Sequence, residues 1–180
     1  VGAERRRRPG AGTVRPIRYM GDPVLRAECD KVTTFDADLK RLIDDMFASM
    51  YAADGAGLAA NQIGVSLQVF VYDCADDTGR RHVGHVVNPT LVTADGDLLD
   101  EDEGCLSLPG LRFATPRHAH AVVEGVDLTG EPLRIEGTGY FARCLQHESG
   151  HLKGQLYVDT LKGATRKEAL RAVRQATWNS

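Results

Sequence analysis

Gln146-His147-Glu148-Ser149-Gly150-His151 is the stretch that decides how the rest of this 180-residue chain reads. Its two histidines stand four residues apart, nearly one helical turn, so on a helix both imidazoles point to one side. That arrangement offers two ligands to one metal ion, and it places the intervening glutamate to handle a proton on a metal-bound water. A catalytic ion of this kind takes three protein ligands and keeps one position open. Cys144 shares the helix face of His147, but its seven-residue distance from His151 is roughly 10 Å along the axis, too far for one ion to join all three. The third ligand therefore comes from another segment. Cys105, in Glu103-Gly104-Cys105-Leu106-Ser107-Leu108-Pro109, is the best candidate. Gly104 lets the backbone come close to a ligand, and Pro109 disfavours a helix or a central strand, so Cys105 is expected on an irregular, accessible segment. The other reading of Cys105 is a small buried hydrophobe.

Outward from the motif, residues 140–153 read as its helix. Upstream, Asp22-Pro23 reads as the cap and first position of a short helix reaching about Glu28. Asp36 caps a second helix, in which Leu39, Leu42, Ile43, Met46, Phe47 and Met50 repeat at i, i+3, i+4 and i+7. That stripe is core, and Gly55 suits the cap near the helix end at Asp54. Between them, residues 67–72, 83–87, 120–126 and 133–135 read as short strands, and the acidic residues 95–103 read as a loop leading to Cys105. A last amphipathic stretch, residues 165–177, is rich in Lys and Arg. Helix, strands, then helix predicts an α+β single domain with antiparallel β-sheets packed around a central motif-bearing helix.

Composition sets the frame. The chain is of one-domain size, and 42% hydrophobic residues leave room for a real core. A net charge of −3 gives no case for specific nucleic-acid recognition, and no apolar run approaches the roughly 18–20 residues of a membrane span. Cys29, Cys74, Cys105 and Cys144 are widely spaced with no C-x-x-C pair, which points to a reducing cytoplasm rather than a disulfide scaffold. Residues 1–15, with the basic block Arg5 to Arg8 among Gly, Ala and Pro, read as a disordered tail ahead of a catalytic domain spanning 16–180. His82, His85, His118 and His120 lack partners that carry other site signals, so surface or capping roles are expected of them.

Gly55-Ala56-Gly57-Leu58-Ala59-Ala60-Asn61-Gln62 is a third informative segment, whose glycines alone could be turn punctuation. Together, G-x-G-L-A-A-x-Q, E-G-C-L-S and Q-H-E-x-x-H in this order resemble the peptide deformylase family, over about residues 16–161. The resemblance implies removal of the formyl group from the N-terminal formyl-methionine of newly made polypeptides, with release of formate. It implies Cys105, His147 and His151 as metal ligands, Glu148 as general base and acid, and Gln62 with the backbone N–H of Leu106 as oxyanion donors. It implies a substrate contact through the Gly57 backbone. It also implies ferrous iron (Fe2+) as native ion, with zinc (Zn2+), nickel (Ni2+) or cobalt (Co2+) as substitutes; the donor set alone suits zinc or ferrous iron.

Tyr140, Arg143 and Cys144 precede His147 by seven, four and three residues and share its face, so they are expected to line the substrate cavity. Core packing is the alternative for Tyr140 and Cys144. Leu106, Leu108 and Phe113 are further apolar candidates. Arg112 matches a position where many members of the family carry a substrate-binding arginine; a solvated arginine is the alternative. Glu103 is a candidate partner for an arginine or a ligand. The basic tail and last helix are candidate contacts with the ribosome. Two other readings stand beside the hydrolase of formylated chains. One is a metallopeptidase, disfavoured because the residues after His151 hold no histidine and only Glu168 as a glutamate. The other is a non-enzymatic binding module, disfavoured because a structural site is more often closed by four ligands.

Overall fold

Two helices grip opposite faces of one strand, and that sandwich positions everything else. The structure, a computed structural model, describes residues 12–179. Helix α1 spans Ala37–Ala52, α2 spans Gly139–His151 and α3 spans Gly163–Gln175. Strands β1 (Gly57–Ala59), β2 (Val69–Ala75), β3 (Arg81–Gly104), β4 (Arg112–Val126) and β5 (Pro132–Thr138) form one antiparallel sheet in the order β1-β2-β3-β4-β5.

Successive side chains of a strand leave on opposite faces. On β2, Val69 and Val71 join Leu39, Leu42, Ile43, Met46 and Met50 of α1, while Phe70 and Tyr72 join Phe141, Ala142 and Leu145 of α2. Burial on both faces is why this strand reads as a continuous apolar run instead of an alternating one. The apolar stripe of α1 is thus core, and the motif helix lies against the sheet, as the α+β reading expects. A third cluster joins Ala169 and Val173 of α3 to Leu108, Tyr157 and Val158.

Several boundaries differ from the sequence reading. Residues 95–103 are not a loop: they continue β3 and pair with β4, with Leu99 opposite Arg117 and Glu103 opposite Phe113. Their acidic side chains are mostly exposed until Glu103, which is buried. A solvated ribbon needs no apolar alternation, so local sequence carries no strand signal there. The segment after Asp22 is one 3-10 turn, Pro23–Leu25, and does not reach Glu28. Asp36 caps α1 as expected, accepting from the Leu39 N–H at 3.1 Å. At the other end the left-handed residue is Asp54, at φ 55°, not Gly55, whose N–H bonds to the Met50 carbonyl. The Arg5 to Arg8 block lies outside the described residues. Thr13 and Arg15, assigned to the tail from sequence, are tied to α1 through Asp45 and Ser49. Among the described residues no helix is long and apolar enough to cross a membrane.

Helix α2 starts at a sharp corner. Gly139 has φ +60°, and a Cβ there would stand 2.6 Å from the Asp77 Cβ and 2.9 Å from its backbone nitrogen. Gly139→Ala combines left-handed strain of about 1–2 kcal/mol with that clash, so a drop in unfolding free energy of at least this size is expected in urea titration. An unchanged midpoint would show that the corner relaxes freely.

Candidate metal centre and pocket

The 3.6-residue repeat of α2 carries His147 and His151 to one face, with their Nε2 atoms 3.0 Å apart. Cys105 arrives from the turn that follows β3, where the Leu108 N–H bonds to the Cys105 carbonyl at 3.0 Å. Its Sγ lies 3.4 Å from His151 Nε2. The three ligand atoms fall within 4.8 Å of one another, and among the described residues this is the one His/Cys/Asp/Glu group that converges so. One sulfur and two imidazole nitrogens around a common point suit a borderline divalent cation such as zinc or ferrous iron. The residues present therefore fit a single metal.

Glu103 organises one side of the centre. Its Oε2 accepts from His147 Nδ1 at 2.7 Å and from Arg117 at 2.8 Å, and its Oε1 accepts from Arg117 and Arg143 at 3.0 Å each. With Nδ1 donating, His147 keeps its Nε2 lone pair for a ligand. Burial works to raise the Glu103 pKa, but the bonds and charges of His147 and Arg117 hold the carboxyl well below the usual range. Burial likewise works against charge on His147, yet Glu148, Cys105 and Glu103 raise its pKa well above the ordinary value. An environment that stabilises a proton on a buried imidazole is one that stabilises a cation. Burial, helped by the charge on His147, drives His151 well below its ordinary value, which keeps that imidazole in its neutral, ligating form.

Beside these groups opens a cavity of about 480 Å³. Glu148 lies in its wall, 4% exposed, and its Oε1 has no hydrogen-bond partner among the described residues. Burial pushes the Glu148 carboxyl up to about 7, against the opposing charge of His147. An orphaned buried carboxylate oxygen is costly and marks a group kept for a task. Gly57 is what lets β1 pass this close: a Cβ there would sit 2.6 Å from Glu148 Oε2 and 3.0 Å from Cys144 Sγ. Gln62 is aimed by two bonds, accepting from the Ala59 N–H and donating to Ser107 Oγ, each at 3.0 Å. Its Nε2 also stands 3.6 Å from Cys105 Sγ.

The other residues expected at the cavity divide. Leu106, Leu108, Arg112, Tyr140, Arg143 and Cys144 all line it. Tyr140 is half-exposed, and Arg112 donates to the Asp102 carbonyl at 3.3 Å. Arg143 is a wall residue whose guanidinium faces protein acceptors, Glu103 and the carbonyls of Thr115 and Leu99. A hydrogen bond with Cys74, together with burial, pushes the Cys144 thiol well up. Phe113 does not reach the cavity; it packs instead against the α3 cluster. His82 stacks on Phe141, His85 accepts from the Leu128 N–H, and His120 bridges Asp95 and Glu136 at the surface. Arg117, Ser107 and Asn61 escaped the sequence reading as contributors. Asn61 Nδ2 donates to the His151 carbonyl at 2.7 Å and so ties the segment after β1 to the end of α2. Ser107 and Asn61 stand inside the short motifs, which was the available signal; Arg117 had none.

An H-E-x-x-H helix, a cysteine from a distant turn and a pocket beside them define the class of single-metal hydrolases. The polypeptide deformylase family profile matches residues 14–167. Peptide deformylase 2 of Streptomyces avermitilis is 59% identical over 172 residues, covering 95% of this chain and 92% of that protein. Peptide deformylase 2 of Streptomyces coelicolor is 54% identical, with coverages of 95% and 96%. The solved structure of a peptide deformylase from Legionella pneumophila matches with a TM-score of 0.80 at 41% identity, covering 91% of this chain and 95% of that one. One from Synechococcus elongatus, in complex with actinonin, gives 0.81 at 37% identity, with coverages of 94% and 92%. The chain belongs to the polypeptide deformylase family and is a hydrolase of N-formyl peptides.

Proposed function

We propose that this chain removes the formyl group from the N-terminal formyl-methionine of newly synthesised polypeptides, with Cys105, His147 and His151 holding one divalent ion. The observation that carries the reading is the partnerless, buried oxygen of Glu148 beside those three converging donors. Ferrous iron is the ion proposed as native, with zinc, nickel and cobalt as substitutes, since all accept one thiolate and two imidazoles. Such an ion, when bound, supplies Lewis acidity that lowers the pKa of water and polarises a carbonyl.

The residues of the chain do the rest. Glu148 takes the proton from the attacking water and delivers it to the departing amine, so that formate and a free N-terminus result. The Gln62 side-chain amide and the Leu106 N–H donate to the carbonyl oxygen as it gains charge. Ser107 and the Ala59 N–H keep the Gln62 amide aimed before substrate arrives, which spares reorganisation in the reaction. Glu103 holds His147 in the ligating tautomer. The methionine side chain enters beside Leu106, Leu108, Tyr140 and Cys144, and the Gly57 backbone and Arg112 meet the peptide. Arg143 serves this pocket through its anchorage rather than through a free donor. We place the protein in the cytoplasm, acting on nascent chains, with the basic residues of α3 as the face toward the ribosome.

The test is formate release from formyl-Met-Ala-Ser by protein loaded anaerobically with ferrous iron. Release is expected, and a chelator should stop it. Peptide-bond cleavage without formate from folded, metal-loaded protein would favour a peptidase instead. In the same assay Gln62→Leu is expected to lower kcat by about 10²–10³-fold, the scale of one oxyanion donor. A change of less than about threefold would remove Gln62 from that role.

A further inference from the structure

We propose that Trp178 is a positioning residue of the active site, its indole clamping the 108–111 wall of the substrate pocket from outside. The proposal rests on the reading of the cavity as the substrate pocket. Leu108, Pro109, Gly110 and Leu111 all line that cavity. They form the second half of the turn that begins at Cys105, a stretch outside any helix or strand. Its internal bonds are two short turns, Leu108 N–H to the Cys105 carbonyl at 3.0 Å and Leu111 N–H to the Leu108 carbonyl at 3.3 Å. Gly110, at φ +79°, has open space where a side chain would stand.

Beside the packing of the buried Leu108, bonds from outside hold this turn, and among the described residues three of them meet its backbone carbonyls. The Met20 N–H donates to the Ser107 carbonyl at 2.8 Å and secures the half next to Cys105. The Tyr157 hydroxyl reaches the Leu111 carbonyl at 3.5 Å, a weak contact. Between them, the Trp178 indole N–H donates to the Pro109 carbonyl at 2.9 Å. The indole is itself braced. Its ring meets Tyr19 at a centroid distance of 5.9 Å, and it packs on the cluster that includes Leu108 and Leu111. The turn that carries it is closed by Asn179, whose backbone N–H bonds to the Ala176 carbonyl and whose side chain bonds to the Val173 carbonyl. Through Val173 and Ala169, α3 is packed on the same wall. The indole is half-buried, and its N–H, a donor only, meets the Pro109 carbonyl, so ring and carbonyl hold each other in place.

Because Met20 separately anchors Ser107, losing the indole loosens the binding wall and leaves Cys105 and the Leu106 N–H in place. The effect therefore falls on substrate binding more than on chemistry. Trp178→Phe keeps the packing and loses the donor; KM for formyl-Met-Ala-Ser is expected to rise about fivefold, the scale of one neutral hydrogen bond. Trp178→Ala loses both, and a rise of about tenfold or more is expected, with kcat within about twofold and one metal per chain in both variants. Amide hydrogen exchange over residues 106–112 should quicken in the Phe variant while α2 exchanges as before. A merely structural tryptophan would not move KM apart from kcat, nor loosen that segment alone. The clamp is overturned if Trp178→Phe leaves both KM and the exchange of residues 106–112 unchanged, or if kcat falls with metal loss at constant KM. Wild-type protein that releases no formate would count against the functional reading, and the exchange measurement would still judge the clamp.

Discussion

Glu148→Ala is expected to lower kcat by about 10²–10⁴-fold while the protein keeps its metal. The carboxylate is not among the three converging ligands, so metal content, measured per chain by atomic absorption, should stay near that of wild type. What is lost is the proposed proton carrier. Glu148→Gln, equal in shape but unable to accept the proton, should lose as much as the alanine variant. Full turnover by either variant would sink the assignment. The cost of keeping this group has a sign that can be checked in metal-free protein. Its folded pKa, about 7, lies above the ordinary 4.5. Ionisation therefore opposes folding, and wild-type stability falls as pH rises from 4.5 to 7. Glu148→Ala lacks that fall, so its stability advantage should grow across the window and level off above it. A gap that stays constant with pH would mean that the carboxyl is not held out of water as the structure shows.

Glu103→Leu is expected to cost about 3–5 kcal/mol of stability and about 10–100-fold in metal affinity. One carboxylate answers the guanidinium groups of both Arg117 and Arg143 and the His147 Nδ1–H. Arg143 is 3% exposed, so removing its nearest carboxylate leaves a buried guanidinium with only the Thr115 and Leu99 carbonyls and Glu101 at 3.9 Å among the described residues. His147 at the same time loses the bond that sets its tautomer. A loss of this size is a large share of the roughly 5–15 kcal/mol that holds a domain together. Glu103→Gln keeps the volume and part of the hydrogen bonding, and should fall between wild type and the leucine variant. Urea titration and metal competition against a chromogenic chelator read the two effects separately. A leucine variant within about 1 kcal/mol of wild type would mean that water or rearrangement replaces Glu103, and that the network is not a support for the centre.

The partners of Glu103 are far away in the chain, and that distance separates what was legible from what was not. The two histidines were readable because four residues make nearly one turn of any helix, and α2 forms at Gly139–His151 within two residues of the expected limits. The stripe of α1 and the Asp36 cap were readable for the same reason, since both are set by neighbours within one or two turns. Gln62 was reached because its segment matches a short motif, and Cys105 because one ion needs a third ligand and Gly104 and Pro109 mark an accessible segment; local physics places neither beside α2.

Pairing across the sheet left no such trace. The acidic residues 95–103 resemble a loop because a ribbon exposed on both sides buries no apolar face; β4 alone makes them a strand. That register carries Glu103 to within bonding distance of Arg117, Arg143 and His147, from 14 to 44 residues away. Trp178 is more distant still, 69 residues from the carbonyl it meets. Helical period, capping and motif chemistry act over a few residues and are written in the order of the amino acids. The closing of the donor cluster, the sharing of Glu103 and the outer support of the pocket depend on which surfaces meet when the sheet and helices pack. Those meetings are paid for by burial summed over the whole core, so no single stretch of the chain contains them.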